Sequence, residues 1–385
     1  MATRKQDPSL VVIQLSGGND YLNTIVPYND GEYYDYRPTV NIDQDSVLPI
    51  DDNYGFNSNM APIKELYDQG KVAVINGIGY PNPNRSHFRS MDIWHTAEPN
   101  DVATEGWLGR ATRDIDPTGE NVLTAVNFGR GLPRALGVRG VPVASVGNLE
   151  TYGLFPDLKD STLRKYALEA FAKMYGGERG KDPVMDFLGQ TGMDALKGAD
   201  LLRTALDKYS SNVEYAADPI AQSLNDVAKV MFADLGTRIF YTQQGSYDTH
   251  SGELTTHAKL IGEVSTGVAD FYDDLKEHER ENDTVIVMFS EFGRRIKDNG
   301  SGTDHGSGGV AFVIGGSVKG GMYGEYPSLK AENQLEGDLQ FNNDFRSTYS
   351  TVLDKWLHLD AAPIVNGQFE QFDFIANGTN GSNGK

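Results

Sequence analysis

The chain has 385 residues, a formal charge of −20 at pH 7, 39% hydrophobic residues and no cysteine. That length and apolar content suit one large α/β domain or two ordinary ones, and the acidity disfavours nucleic acid and anionic membranes as partners. Without cysteine there are no disulfides, thiolate zinc sites or cysteine nucleophiles, so any metal must be held by His, Asp or Glu.

No run reaches the roughly 18 to 20 apolar residues of a membrane span. The opening MATRKQDPSL has no apolar stretch of the kind a signal peptide carries. Residues 1–9 read as a flexible start and 376–385 (ending NGTNGSNGK) as a disordered tail. Leu10 to Leu15 (LVVIQL) has the unbroken apolar character of a strand buried on both faces. Ser16-Gly17-Gly18-Asn19-Asp20 follows at once. Paired glycines permit a tight turn and close approach of a ligand, and Asp20 then sits at a strand's carboxyl end. The ordinary alternative is an Asp that closes a turn or caps a helix. Neither a Walker lysine pattern nor GxGxxG is present, which disfavours those nucleotide folds. The Tyr-, Asp-, Asn- and Pro-rich residues that follow (including EYYDYRP) read as an irregular excursion over the end of the sheet.

Ala61 to Gln69 reads as a short amphipathic helix closed by Gly70, and Val72 to Ile75 as a second buried strand. The Pro/Asn loop from Gly79 to Arg85 forbids regular structure until Ser86, where a helix can begin. A hydroxyl there lies near free backbone N–H groups that favour anions; a plain capping serine is the alternative. Arg85, His87 and Arg89 flank it. Gly106 to Ile115 reads as helical, and Val122 to Leu154 as short strands and loops. Ser161 to Tyr175 and Asp182 to Leu235 read as mostly helical, an insertion around 160–235 into a single domain spanning 10–375.

Arg238 to Thr242 reads as a further strand, followed by QQGSYDTH. Asp248 and His250 can point at one ion, and oxygen with imidazole suits zinc, manganese or iron; ordinary surface loop residues are the alternative. His257, Leu260, Ile261, Val264, Val268, Phe271 and Leu275 fall on one helical stripe, with His257 as support for the site rather than a ligand. Val285 to Phe289 is another apolar run, ending in Ser290, Glu291 and Phe292. Arg294, Arg295, a glycine-rich loop and Asp304-His305 come next. Ligands of open α/β sheets bind beyond the carboxyl ends of strands, so these residues suit a metal and an anion. Val310 to Ile314 reads as a strand and Phe345 to Leu357 as a closing helix.

The motifs LSGGNDYLNTIVPY, NRSHF, GWLGR, GSYDTH, SEFGRR, GTDHGSGG, GSVKGGMYG and NDFRSTYSTVLDKW resemble domain-of-unknown-function family 1501, of the alkaline-phosphatase-like superfamily. The resemblance runs from about Leu10 to Leu359. It implies an α/β, alkaline-phosphatase-like fold, a mostly parallel central sheet flanked by helices on both faces. It also implies metal ligands at Asp20, Asp248, His250, Glu291 and His305; with Asp304 available to rebuild an altered site, these are expected to hold one or two divalent ions, zinc or manganese foremost with calcium or magnesium as alternatives. Ser86 matches the nucleophile position; the reading built on it has Arg294 as the catalytic group on the anion and Arg85, Asn19, His87 and Arg295 binding the substrate. Export to the periplasm or the exterior goes with the family.

The expected activity is a metal-dependent hydrolase or transferase acting on a small anionic phosphate or sulfate ester. Phe292 departs from the superfamily pattern, which places a His after the acidic residue, and leaves a second metal site open to question. RSHFR is not the CxPxR or SxPxR setting of formylglycine sulfatases. The alternative class is a noncatalytic secreted or surface-associated binding protein that keeps the fold and a structural metal. A metal-dependent isomerase or mutase is the third.

Overall fold

Val11, Ile13 and Leu15 point to one side of the first strand and Leu10 and Val12 to the other, as the two-residue period of a strand requires. Both sets are buried, in two separate apolar layers. This is the signature of a sheet with helices on both faces. The computed structural model describes residues 7–152, 160–175 and 183–376; the expected flexible start before Asp7 and the tail beyond Ala376 lie outside them.

In chain order the strands are β1 (Ser9–Leu15), β2 (Ile25–Val26), β3 (Val47–Pro49), β4 (Gly55–Asn57), β5 (Val72–Gly79), β6 (Ala125–Phe128) and β7 (Ala144–Val146). Then come β8 (Ile239–Gln244), β9 (Thr284–Ser290), β10 (Arg294–Asp298), β11 (Thr303–His305), β12 (Gly309–Ile314), β13 (Gly321–Tyr323) and β14 (Asn343–Asp344). The main sheet has nine strands in the order β13-β5-β12-β9-β1-β8-β6-β7, with β14 also on β5. Its pairs are parallel except those of β12, which runs against both β5 and β9. β1, β5, β8 and β9 therefore all end at the same edge.

The helix Glu253–Glu277 buries the predicted stripe, His257 through Leu275, under one face of the sheet. Pro219–Phe232 packs beside it and against β8. The other face carries His87–Thr96, Trp107–Ile115 and the closing helix, whose Trp94, Trp107, Phe345 and Tyr349 rings stack together. That closing helix is α from Phe345 to Thr351 and π from Val352 to Trp356. Trp356 Nε1 donates to Ser9 O at 2.9 Å, tying it to the first strand.

Two stretches differ from their sequence reading. The excursion after Asp20 forms its own three-stranded antiparallel sheet, β2-β4-β3, with the helix Gly31–Tyr36. The glycine-rich loop after Glu291 is a hairpin, β10 against β11, whose turn is closed by Asn299 Oδ1 accepting from Ser301 N and Gly302 N. Local side-chain-to-backbone bonds of this kind are hard to read from composition alone.

Candidate metal centre

The strand edge defined by β1, β8 and β9 gathers the chemistry. Gly17 has φ +124°, and a Cβ there would lie 2.4 Å from Asp248 N, so only glycine lets the loops after β1 and β8 close on each other. Gly18 has φ +78°, and a Cβ there would meet the Phe292 ring at 2.5 Å. The hairpin β10–β11 then brings Asp304 and His305 over this edge, and the helix starting at His87 brings an imidazole in from the end of β5.

Four side chains converge. His305 Nε2 lies 3.0 Å from His87 Nε2, 3.0 Å from His250 Nε2 and 3.0 Å from Asp248 Oδ1. His250 Nε2 is itself 3.0 Å from Asp248 Oδ1, and His87 Nε2 is 3.4 Å from Asp248 Oδ2. Two triangles of donors thus share the Asp248–His305 edge. Zinc bonds of about 2.0–2.1 Å at tetrahedral angles place neighbouring donors roughly 3.3 Å apart, which is the scale of these separations. The donor atoms of His87, Asp248 and His305 all lie within 4.8 Å of one another.

The opposite ring nitrogens are all committed. His87 Nδ1 faces Glu291 Oε1 at 2.8 Å, His250 Nδ1 faces Asp304 Oδ1 at 2.9 Å, and His305 Nδ1 faces Arg85 O at 2.7 Å. A carbonyl or carboxylate can only accept, so each Nδ1 is the donor to its outer partner, and each Nε2 is the ring atom turned toward the cluster. Three ring nitrogens and a carboxylate facing one another form a donor set able to hold a cation between them. Such outer acceptors are the usual support of metal-bound histidines, and the donor set fits a divalent transition metal.

The electrostatics follow this arrangement. The hydrogen bond to Glu291 raises the His87 imidazole above its ordinary value, against partial burial, with Asp248 adding to the effect. Asp248 is held below the usual carboxylate range although burial opposes this, by His305 and by Arg294. Arg294 is buried, donating to Asp248 Oδ1 at 3.1 and 3.2 Å and to Gly17 O at 3.3 Å.

Of the expected ligands, Asp248, His250 and His305 meet at the cluster. Glu291 and Asp304 stand one layer out: each spends an oxygen on a histidine Nδ1, and Glu291 Oε1 also accepts from Gly17 N at 2.9 Å. Asp20 is elsewhere, fully buried with both oxygens on Arg37, Oδ1 at 2.9 Å and Oδ2 at 2.5 Å. His87, expected on the substrate, instead joins the donors. Its ring packs on Phe292 at 4.9 Å between centroids, so the imidazole absent at position 292 arrives from another segment.

The expected anion binders are occupied. Arg294 serves Asp248, while Arg85 and Arg295 both reach the buried Asp338, at 2.7 and 3.5 Å. Asn19 is buried, with Oδ1 3.0 Å from His257 Nε2 and its backbone N on Ser290 Oγ at 2.9 Å. Ser86 is exposed, stands at the N-cap of His87–Thr96 and makes no side-chain capping bond. A cavity of about 470 Å³ opens beside His87, bounded by Gln14, Ser16, Phe88, His95 and Glu291.

Sequence reasoning missed Arg37, Glu253 and Thr303. Glu253 begins the helix Glu253–Glu277 and is fully buried, with Oε2 accepting from Thr303 Oγ1 at 2.5 Å and Oε1 from Asn23 Nδ2 at 3.3 Å. Burial and the neighbouring Asp20 push its carboxyl up to about 9. Burial would raise Asp20 too, but Arg37 and the hydrogen bond with Glu253 carry it well below the carboxylate range. Nothing in EYYDYRP marks its arginine as an internal partner of a residue beyond β1.

Fold and cluster together describe an α/β protein with a histidine–aspartate cluster at the carboxyl edge of a mostly parallel sheet. The family model "Protein of unknown function (DUF1501)" matches residues 79–361, and the chain belongs to that family. No curated protein matches it. Among solved structures, it is similar to the phosphonate monoester hydrolase SpPMH from Silicibacter pomeroyi, at 12% identity and TM-score 0.44, covering 94% of this chain and 76% of that one. The phosphonate monoester hydrolase of Agrobacterium radiobacter shows 14% identity and TM-score 0.40, over 95% and 79%. A protein in the alkaline phosphatase superfamily from Vibrio parahaemolyticus shows 11% and 0.33, over 85% and 64%. Among the described residues no helix is long and apolar enough to cross a membrane.

Proposed function

We propose that this chain is a metal-dependent hydrolase or transferase acting on a small phosphate or sulfate ester, as its resemblance to the alkaline-phosphatase-like superfamily implies. The observation that carries the reading is the inward convergence of His87, His250, His305 and Asp248, with every Nδ1 fixed from behind. A divalent cation held there, zinc or manganese by donor type, would supply Lewis acidity toward an ester oxygen or a hydroxyl.

The chain's own residues hold the rest of the site. Glu291, Asp304 and Arg85 O keep the three rings from rotating, and Arg294 keeps Asp248 ionised and aimed. Ser86, exposed at a helix start one residue before His87, is the nucleophile in this reading. The free N–H groups of that helix favour the negative charge that gathers there. The cavity beside His87 receives the alcohol portion of the ester. Placement in the periplasm or outside the cell goes with the proposal, on the family resemblance.

One observation favours the second reading, a noncatalytic binding protein with a structural metal. All three arginines expected at the anion face carboxylates instead, and four protein donors would close a site that catalysis needs open. Turnover of a panel of phosphate and sulfate esters by zinc- or manganese-loaded protein separates the two. Activity that is lost in His305→Ala and Ser86→Ala supports the enzyme. A loaded protein with metal bound and no turnover across the panel supports the binding protein. Less than about 0.2 equivalents of metal after loading overturns both.

A further inference from the structure

Asp20 lies just beyond the carboxyl end of β1, where a carboxylate is well placed to hold a second cation, yet its surroundings do not suit one. Asp20 and Arg37 are both wholly buried, and they share two parallel N–H···O bonds, a fork-to-fork geometry that saturates the carboxylate face. Arg37 is further fixed by donating Nε to Ile296 O at 2.9 Å and Nη2 to Arg295 O at 2.8 Å. Glu253 lies against Asp20 and is locked by Thr303 and Asn23. Asn19 Oδ1, another nearby oxygen, is taken by His257.

We propose that the Arg37 guanidinium is a permanent, chain-encoded counter-ion for the Asp20–Glu253 carboxyl pair, so that this protein holds one divalent cation, at the histidine cluster, and none at Asp20. The proposal rests on the metal reading above. A second cation would have to expel a buried guanidinium from its four hydrogen bonds, or sit beside a pair whose charge is already balanced. Either leaves a buried charge unpaired, which costs far more than it returns.

The trio is also joined to the cluster. Thr303 Oγ1 donates to Glu253 and accepts from Arg294 Nε at 3.3 Å, and Arg294 in turn grips Asp248. Arg37 carries a second link, since the carbonyls it holds belong to Arg295 and Ile296 of β10, the strand paired with β11. The fixed positive charge thus anchors the hairpin that presents His305. Asp20 becomes a positioning residue in this arrangement.

The test counts metal on the purified protein. After saturation with Zn²⁺ and removal of the excess, elemental analysis is expected to give about one equivalent. Asp20→Asn is expected to keep that equivalent and His305→Ala to lose it. Two equivalents in the wild type, falling to one in Asp20→Asn, overturns the proposal. Because Asp20→Asn can fail to fold, the wild-type zinc-soaked crystal supplies an independent readout at the zinc absorption edge. A single anomalous peak among His87, Asp248, His250 and His305 supports one cation, whereas a second peak bonded to Asp20 overturns it. A wild type that takes up no zinc sinks the metal reading itself, a result distinct from finding two ions.

Discussion

His305 and His250 present their Nε2 atoms to each other at 3.0 Å while their other nitrogens are spent, on Arg85 O and on Asp304. The pair comes from two segments, the loop after β8 and the strand β11, and neither ring can turn away without losing its outer hydrogen bond. Removing that outer bond tests the arrangement directly. Asp304→Asn and Glu291→Gln are expected to weaken zinc affinity by about 10- to 100-fold while leaving the binding capacity intact. Competition with a chelator of known affinity measures this, and unchanged affinity in both variants contradicts the role assigned to these carboxylates.

Arg37→Ala leaves Asp20 buried without its cation. Breaking a wholly buried pair from one side costs about 3–5 kcal/mol, and both partners are fully shielded from solvent. Urea unfolding should show the midpoint falling accordingly, and the double change Arg37→Met with Asp20→Asn should recover part of the loss. A single variant as stable as the wild type would show that the pair contributes little.

Glu253 gives a pH signature on the alkaline side. Burial and the neighbouring Asp20 push its folded carboxyl up to about 9, against an ordinary 4.5. Between those values the unfolded chain binds fewer protons than the folded one, so this contribution is complete below about 4.5 and is lost as pH rises towards 9. Glu253→Gln mimics the protonated acid and should flatten that decline. Denaturation midpoints of the two proteins across pH 5 to about 9 provide the comparison; parallel curves would refute it.

His95 and His257 act in the other direction. Burial lowers both imidazoles to about 4 from 6.5. His95 Nε2 faces Gln14 Oε1 at 2.8 Å and Tyr241 OH at 3.1 Å, and burial outweighs the nearby carboxylates of Asp92 and Glu291, which favour the charged ring. The unfolded chain takes up protons first, so stability present above about 6.5 is lost as pH falls towards 4, by up to roughly 3 kcal/mol for each ring. His95→Gln should lower stability at neutral pH and flatten the acid limb. If that limb keeps its full slope in the variant, His95 is not its source.

Much of the fold was written in local pattern. LVVIQL and TVIVMFS have no polar face, which a strand can tolerate only when both sides are covered, and both are buried at every residue. The stripe from His257 to Leu275 shows the helical period directly. That Asp248, His250 and His305 come together in space was likewise legible, because donor-type residues stand just past strand ends.

The roles of the remaining site residues were decided by distance in space rather than along the chain. Glu291 and Asp304 carry the same carboxylate as a ligand would, and in the fold each accepts from an imidazole Nδ1 instead of facing the cluster. Phe292 marked a missing ring in the sequence, and the fold set His87 against it from a helix that begins 205 positions earlier in the numbering. Asp20 reads as a metal ligand in the sequence, whereas in the fold Arg37, hidden in EYYDYRP, lies across its face. A buried carboxylate at a strand end needs a partner, and which partner Asp20 has is decided by the side chain that the folded chain buries beside it, here Arg37.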